Sequence, residues 1–125
     1  MPLSFSLNEG IGVLAAVGEA DFEQALQEIY RGMDEIEAAG VPPVLLFDLS
    51  RSAANRSQEE LQITVAAIHE RLPDARIALL AKGDFYYGIS RMFGSFAQSF
   101  ELETKIFRDL DEALAWCRAE SEVTP

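Results

Sequence analysis

Two polar stretches of this sequence hold most of the side chains with binding chemistry. The first carries Ser50, Arg51, Asn55 and Arg56; the second carries Lys82, Gly83 and Asp84, followed by Tyr86, Tyr87 and Arg91. Guanidinium groups capture phosphate or carboxylate through paired N–H donors. Amides at a helix start favour anions, and an exposed tyrosine ring offers a face to a ligand or partner. Only 10 of the 125 residues are basic, so three or four cations gathered on one rim would mark a site for a small anion. The alternative is that they are solvated, or pair with some of the 21 acidic residues.

The other reactive residue types point to structure rather than catalysis. Ser57 and Glu60 form an S-x-x-E capping box, which needs only helix physics. Gly10-Ile11-Gly12-Val13-Leu14-Ala15 matches the letters G-x-G-x-x-A, but Val13 to Val17 reads as strand where the dinucleotide fingerprint requires a helix. A hairpin turn accounts for those glycines. His69, the single histidine, has no companions at metal-ligand spacing and no nucleophile to serve as a base. Cys117 fits a small buried hydrophobe, with only Arg118 nearby to activate a thiol. Asp48, at a strand end, is expected to accept amides from the following loop. Asp34, Glu35 and Glu37 form a solvated face or a guide for a basic partner. No catalytic constellation, metal site or cofactor is implied.

Positioning these groups takes an alternating α/β chain. Leu3, Phe5 and Leu7 alternate with Ser4 and Ser6 as a half-buried strand does, Asn8-Glu9-Gly10 supplies a turn, and Gly12 to Val17 completes a hairpin. Phe22, Leu26, Ile29, Met33 and Ile36 then recur at helical spacing, ended by Gly40 and Pro42-Pro43. Val44 to Leu49 is a buried strand, Ser50 to Arg56 reads as a polar loop, and Leu61, Val65, Ile68 and Leu72 mark a second helix. Arg76 to Ala81 is the next strand. A third helix follows with the stripe Phe85, Ile89, Met92, Phe93, Phe96 and Phe100, mostly core, and with one of Tyr86 and Tyr87 turned outward. Leu102 to Phe107 suits an edge strand, and Asp109 with Glu112 opens a last helix presenting Leu110, Ala113, Leu114 and Cys117.

The order β-β-α-β-α-β-α-β-α predicts an α/β fold: a mostly parallel four- to five-stranded sheet with an N-terminal antiparallel hairpin and four helices. A single domain is expected over residues 1–120, with a frayed tail at 121–125. Such sheets bind ligands at the carboxyl ends of their strands, where both polar stretches fall. The formal charge of −11 repels nucleic acid and anionic membranes. Apolar runs fall well short of the roughly 20 residues a spanning helix needs. With one cysteine and no basic leader, the cytoplasm is the expected location.

The hairpin start, the strand ending in Asp48-Leu49-Ser50, the run RIALLAKGD and the ending IFRDLDEALAW together resemble the SpoIIAA-like group of STAS domains, over essentially the whole chain. The resemblance implies a non-enzymatic regulatory or binding module, acting through protein contacts or a small anionic ligand at the strand ends. Some members of the group are lipid- or nucleotide-responsive, which implies an alternative: a carrier of a lipid or other apolar molecule, with the aromatic third helix as its lid. In the phospho-switch branch a serine opens the helix after the third strand. Ser57 occupies that place, although the Asp-Ser-Ser/Thr-Gly motif is replaced by Asn55-Arg56-Ser57-Gln58. A homodimer through an edge strand or the aromatic helix is compatible with the pattern.

Overall fold

A hairpin opens the chain and forms one edge of the sheet. Strands β1 (Leu3–Asn8) and β2 (Ile11–Gly18) pair antiparallel. Glu9 and Gly10 between them hold φ of 52° and 84°, the left-handed pair that a two-residue hairpin turn requires. Gly10 thus serves the turn and Gly12 the strand, with no helix at the second glycine. In the computed structural model, which describes residues 3–119, there follow α1 (Phe22–Ala39), β3 (Val44–Ser52), α2 (Gln58–Arg71), β4 (Arg76–Leu80), α3 (Asp84–Ser99), β5 (Glu103–Phe107) and α4 (Leu110–Arg118). The tail expected at 121–125 lies outside the described residues. The sheet runs β1-β2-β3-β4-β5, parallel from β2 onward, so the predicted α/β order and hairpin are both present.

Local chemistry sets the helix ends. The Asp21 carboxylate accepts the Gln24 amide at 3.2 Å to open α1, and Gly40 closes it at φ 68°. Ser57 Oγ accepts the Glu60 amide at 3.1 Å while the Ser57 amide donates to Glu60 Oε1 at 2.9 Å, completing the reciprocal box at α2. Asp109 accepts the Glu112 amide at 3.0 Å to open α4.

Helices α1, α2 and α3 cover one face of the sheet, over Leu14, Leu45, Phe47, Ile77 and Leu79. On the other face α4 packs Ala113 and Cys117 against Val44, Leu46, Ala78 and Leu80. Arg76 anchors α4: its guanidinium lies 4.1 Å over the Trp116 ring and donates to the carbonyls of Ala119 (2.8 Å) and Trp116 (3.2 Å). Both carbonyls lie at the end of α4, where a helix lacks its full set of amide partners. On the first face, Phe5 fills the space over two glycines. A Cβ on Gly32 would stand 2.4 Å from its ring, and one on Gly12 2.8 Å. Glu28 of α1 accepts the Phe5 amide at 2.9 Å and two Arg31 bonds at 2.6 and 2.9 Å, so the helix grips the edge strand's backbone. The bonds from Arg31 hold the Glu28 carboxyl below its ordinary 4.5, outweighing its burial.

Two expectations change. Arg51 and Ser52 pair with Val17 and Gly18 of β2, so Ser50 to Ser52 belong to β3 and the loop is confined to residues 53–57. The α3 stripe is also rotated. Its buried line is Ser90, Phe93 and Ala97, with Tyr86 one turn before Ser90, while Phe85 is 58% exposed. Phe85 is one residue, about 100° of helix, off that line. Phe100 lies past the helix end, 36% exposed, with its ring beside His69.

Candidate functional site

Small residues at crowded positions leave a space in the first face. Where α1, α2 and α3 diverge near the carboxyl ends of β2 and β3, Ala16, Ala20, Ala25, Ala54 and Ser90 border a cavity of about 110 Å³. Its apolar walls are Leu26 and Ile29 from α1, Phe47 and Leu49 from β3, Leu61 from α2, and Ile89 and Phe93 from α3. Phe93 meets Phe47 edge-on at 5.8 Å, which fixes the floor. The pairing of β2 with β3 shifts register between Ala15 and Val17, beside Ala16, a local irregularity of the kind that bends a strand and makes room at a site.

Two hydrogen bonds cross the mouth. Arg56 Nη2 donates to the Ala20 carbonyl at 2.7 Å, with its guanidinium 5.6 Å over the Phe22 ring. The Tyr86 hydroxyl donates to the Ala54 carbonyl at 2.7 Å. The 53–57 connection is therefore tied on one side to the entry of α1 and on the other to α3. Outside this mouth, Glu19, Asp21 and Glu60 border a shallow groove with Asn55 and Arg56, so carboxylates outnumber the cation.

Most polar atoms at the cavity are already engaged. Thr64 Oγ1 donates to the Glu60 carbonyl at 2.9 Å, and Ser52 Oγ accepts the Ala54 amide at 3.3 Å. Ser90 Oγ differs: it is fully buried and has no hydrogen-bond partner among the described residues. The exposed lining is predominantly apolar, a surface that favours an apolar guest over ordered water.

The rim residues read from the sequence separate in space. Arg56 and Tyr86 border the cavity, and Asn55 is exposed beside the outer groove. Phe47 and Leu49 point into the cavity, so strand alternation turns Ser50, with Asp48, to the opposite face. There Asp48 Oδ1 accepts the Ser50 amide at 3.0 Å and its hydroxyl at 2.6 Å. Arg51, Lys82 and Arg91 are exposed. Asp84 pairs at 3.1 Å with Arg108, whose guanidinium also reaches the Lys82 carbonyl and lies 4.6 Å over the Tyr87 ring. Arg108 was not anticipated, and nor was Ser90. The signal for Ser90 is its place in Tyr86, Ser90, Phe93, Ala97, one polar residue in a stripe stepping by four, three and four.

Cys117 is buried against the second face, and that burial raises its thiol pKa. Among the described residues no group of three His, Cys, Asp or Glu could hold a metal ion, and no helix is long and apolar enough to cross a membrane.

No protein-family model matches the sequence, and no curated protein matches it significantly. A solved structure does. An uncharacterized protein of the DUF3478 family with a SpoIIAA-like fold, from Shewanella loihica PV-4, superposes with a TM-score of 0.64 at 16% identity, covering 92% of this chain and 91% of that one. The fold is SpoIIAA-like, as the sequence pattern implied.

Proposed function

We propose that this protein is a non-enzymatic binding module whose ligand is an apolar small molecule held between α1, α2, α3 and the sheet. The observation that carries this reading is the apolar-lined cavity beside Phe47 and Phe93, bordered by the two breakable hydrogen bonds of Arg56 and Tyr86. Its volume of about 110 Å³ is of the order of the roughly 150 Å³ that stays dry and accepts benzene in an engineered apolar cavity. A ring or short chain fits within; a longer one must part the Arg56–Ala20 and Tyr86–Ala54 bonds to extend outward. That release frees the 53–57 connection and the α2 start with Ser57, which would couple occupancy to the surface of a regulatory module. In this reading α3 is the lid, since Tyr86, Ile89, Ser90 and Phe93 all lie on the ligand side.

The test is a titration of the protein with toluene followed by amide and methyl chemical shifts. Saturable changes confined to Ala25, Leu61, Ile89 and neighbouring cavity residues are expected. Shifts that are absent, or scattered over the surface without saturation, would refute the cavity as a binding site.

A second reading, protein contact governed by Ser57, is favoured by the exposure of that residue at the α2 start. A phosphate there would sit on unpaired amides, where helix ends favour negative charge. Intact mass after expression in the native host, with and without phosphatase, tests it directly. The arrangement of Arg51, Lys82 and Arg91 gives less support to an anion site, since only Arg56 among the rim cations borders the cavity.

A further inference from the structure

Arg56 stands apart from the other cations of this acidic chain. Arg31, Arg71, Arg76, Arg108 and Arg118 each reach a carboxylate. Arg51, Lys82, Arg91 and Lys105 are exposed, where solvent serves the charge. Arg56 is half-buried, and no carboxylate among the described residues lies within 4.0 Å of its nitrogens. Its guanidinium rests 5.6 Å over the Phe22 ring and gives one bond to the Ala20 carbonyl. A guanidinium has donors for several partners, so others remain for a ligand. They sit where the cavity meets the outer groove, because Arg56 borders both.

Resting on the cavity reading above, we infer that the ligand is a small monocarboxylate. Its apolar part lies between Phe47, Leu61, Ile89 and Phe93, and its carboxylate is taken by Arg56 at the mouth. Two parallel N–H bonds from a guanidinium match the two oxygens of a carboxylate, and a half-buried setting strengthens such a pair. The cavity volume of about 110 Å³ holds the apolar part to a ring or a short chain. The charge is limited to one. Glu19, Asp21 and Glu60 border the groove outside Arg56, so the second charge of a phosphate would face carboxylates with no further cation to meet it. Two of these carboxylates are held by backbone amides, Asp21 by that of Gln24 and Glu60 by that of Ser57, which keeps them from turning to Arg56.

Phenylacetate and phenylacetamide have nearly the same shape and differ in charge, while toluene carries the ring alone. Chemical-shift titrations give their dissociation constants on the wild type, Arg56→Gln, Arg56→Lys and Arg51→Gln. The wild type should prefer phenylacetate to phenylacetamide. Arg56→Gln should weaken phenylacetate about tenfold or more, the loss of a charge-assisted hydrogen bond, and leave toluene binding in place, which also shows that the variant is folded. Arg56→Lys keeps the charge without the paired geometry and should recover part of the loss. Arg51→Gln removes an exposed cation that does not border the cavity and should bind phenylacetate as the wild type does. Toluene binding without a preference for phenylacetate over phenylacetamide would overturn the role of Arg56 while leaving the cavity standing. Equal losses of phenylacetate in Arg51→Gln and Arg56→Gln would do the same, by showing a diffuse field rather than a contact. Failure of all three compounds to bind the wild type would overturn the cavity and this inference with it.

Discussion

Replacing glycine by alanine at two helical positions should have opposite signs, and the geometry says why. In a helix interior the change ordinarily stabilises by up to about 1 kcal/mol. Gly88 in α3 is exposed, and a Cβ there would meet nothing within 4 Å, so Gly88→Ala should gain close to that amount. Gly32 in α1 differs, because its Cβ would fall 2.4 Å from Phe5 Cδ2 and 2.8 Å from Cγ and Cε2. Carbon atoms rest at about 3.5–4.0 Å, so the ring must retreat by more than about 1 Å. It has little room to retreat, since the ring already lies close over Gly12, where an added Cβ would stand 2.8 Å from Cε2. Overpacking of this kind costs roughly 1–3 kcal/mol, which exceeds the helix gain. Urea unfolding of the two variants beside wild type should therefore place Gly88→Ala above it and Gly32→Ala below, separated by about 2 kcal/mol. The consequence reaches the cavity, because the same helix carries Ala25, Leu26 and Ile29 in its wall. If Gly32→Ala is as stable as wild type, Phe5 is not wedged between α1 and β2 and the account of how α1 is seated is wrong.

Two further predictions concern the other anchors. Arg76→Ala removes the guanidinium from Trp116 and from the last carbonyls of α4, at a cost of about 2 kcal/mol to the docking of that helix. Cys117 should then react with an aromatic disulfide reagent roughly thirtyfold faster, a rate that Asp111→Ala, an exposed control on the same helix, leaves near wild type; equal rates in all three proteins would contradict the anchor. The lowered pKa of Glu28 means that its stabilisation is complete above the unfolded carboxyl pKa and is lost as pH falls through the folded one. Wild type should exceed Glu28→Gln by about 1–2 kcal/mol at pH 6, and the gap should close as pH drops below 4.5; a gap independent of pH would show that the charge of Glu28 contributes nothing.

The elements were legible in the sequence because their signals are local. Ile29, Met33 and Ile36 declare a helix face, and Leu3, Phe5 and Leu7 a strand face, without reference to the rest of the chain. The end of β3 was not legible. Ser50, Arg51 and Ser52 are polar, and the strand runs through them only because Arg51 and Ser52 pair with Val17 and Gly18 beyond an extra residue in β3. Phe85 was misplaced because an aromatic helix offers more than one apolar stripe, and only tertiary packing selects the line through Ser90, Phe93 and Ala97. The cavity was hidden for a different reason. It is a space left by Ala16, Ala20, Ala25, Ala54 and Ser90, small residues from separate segments that meet only in the fold. Arg56 and Tyr86 were chosen for rim chemistry and do stand at the cavity, but as its ties, each spent on a backbone carbonyl. Ser50 and Arg51, close to Arg56 in sequence, lie elsewhere because β3 carries one extra residue between Asp48 and Arg51, which shifts its alternation and brings Ser52 rather than Arg51 to the cavity.

The measurement that bears most directly on the central claim is diffraction from a crystal of this protein pressurised with xenon, which enters dry apolar cavities and avoids polar, hydrated ones. A xenon peak between Phe47, Leu61, Ile89 and Phe93, with no ordered water on Ser90 Oγ, is the predicted result. Ordered waters bridging Ser90 across that space, with no xenon bound, would contradict a dry ligand cavity.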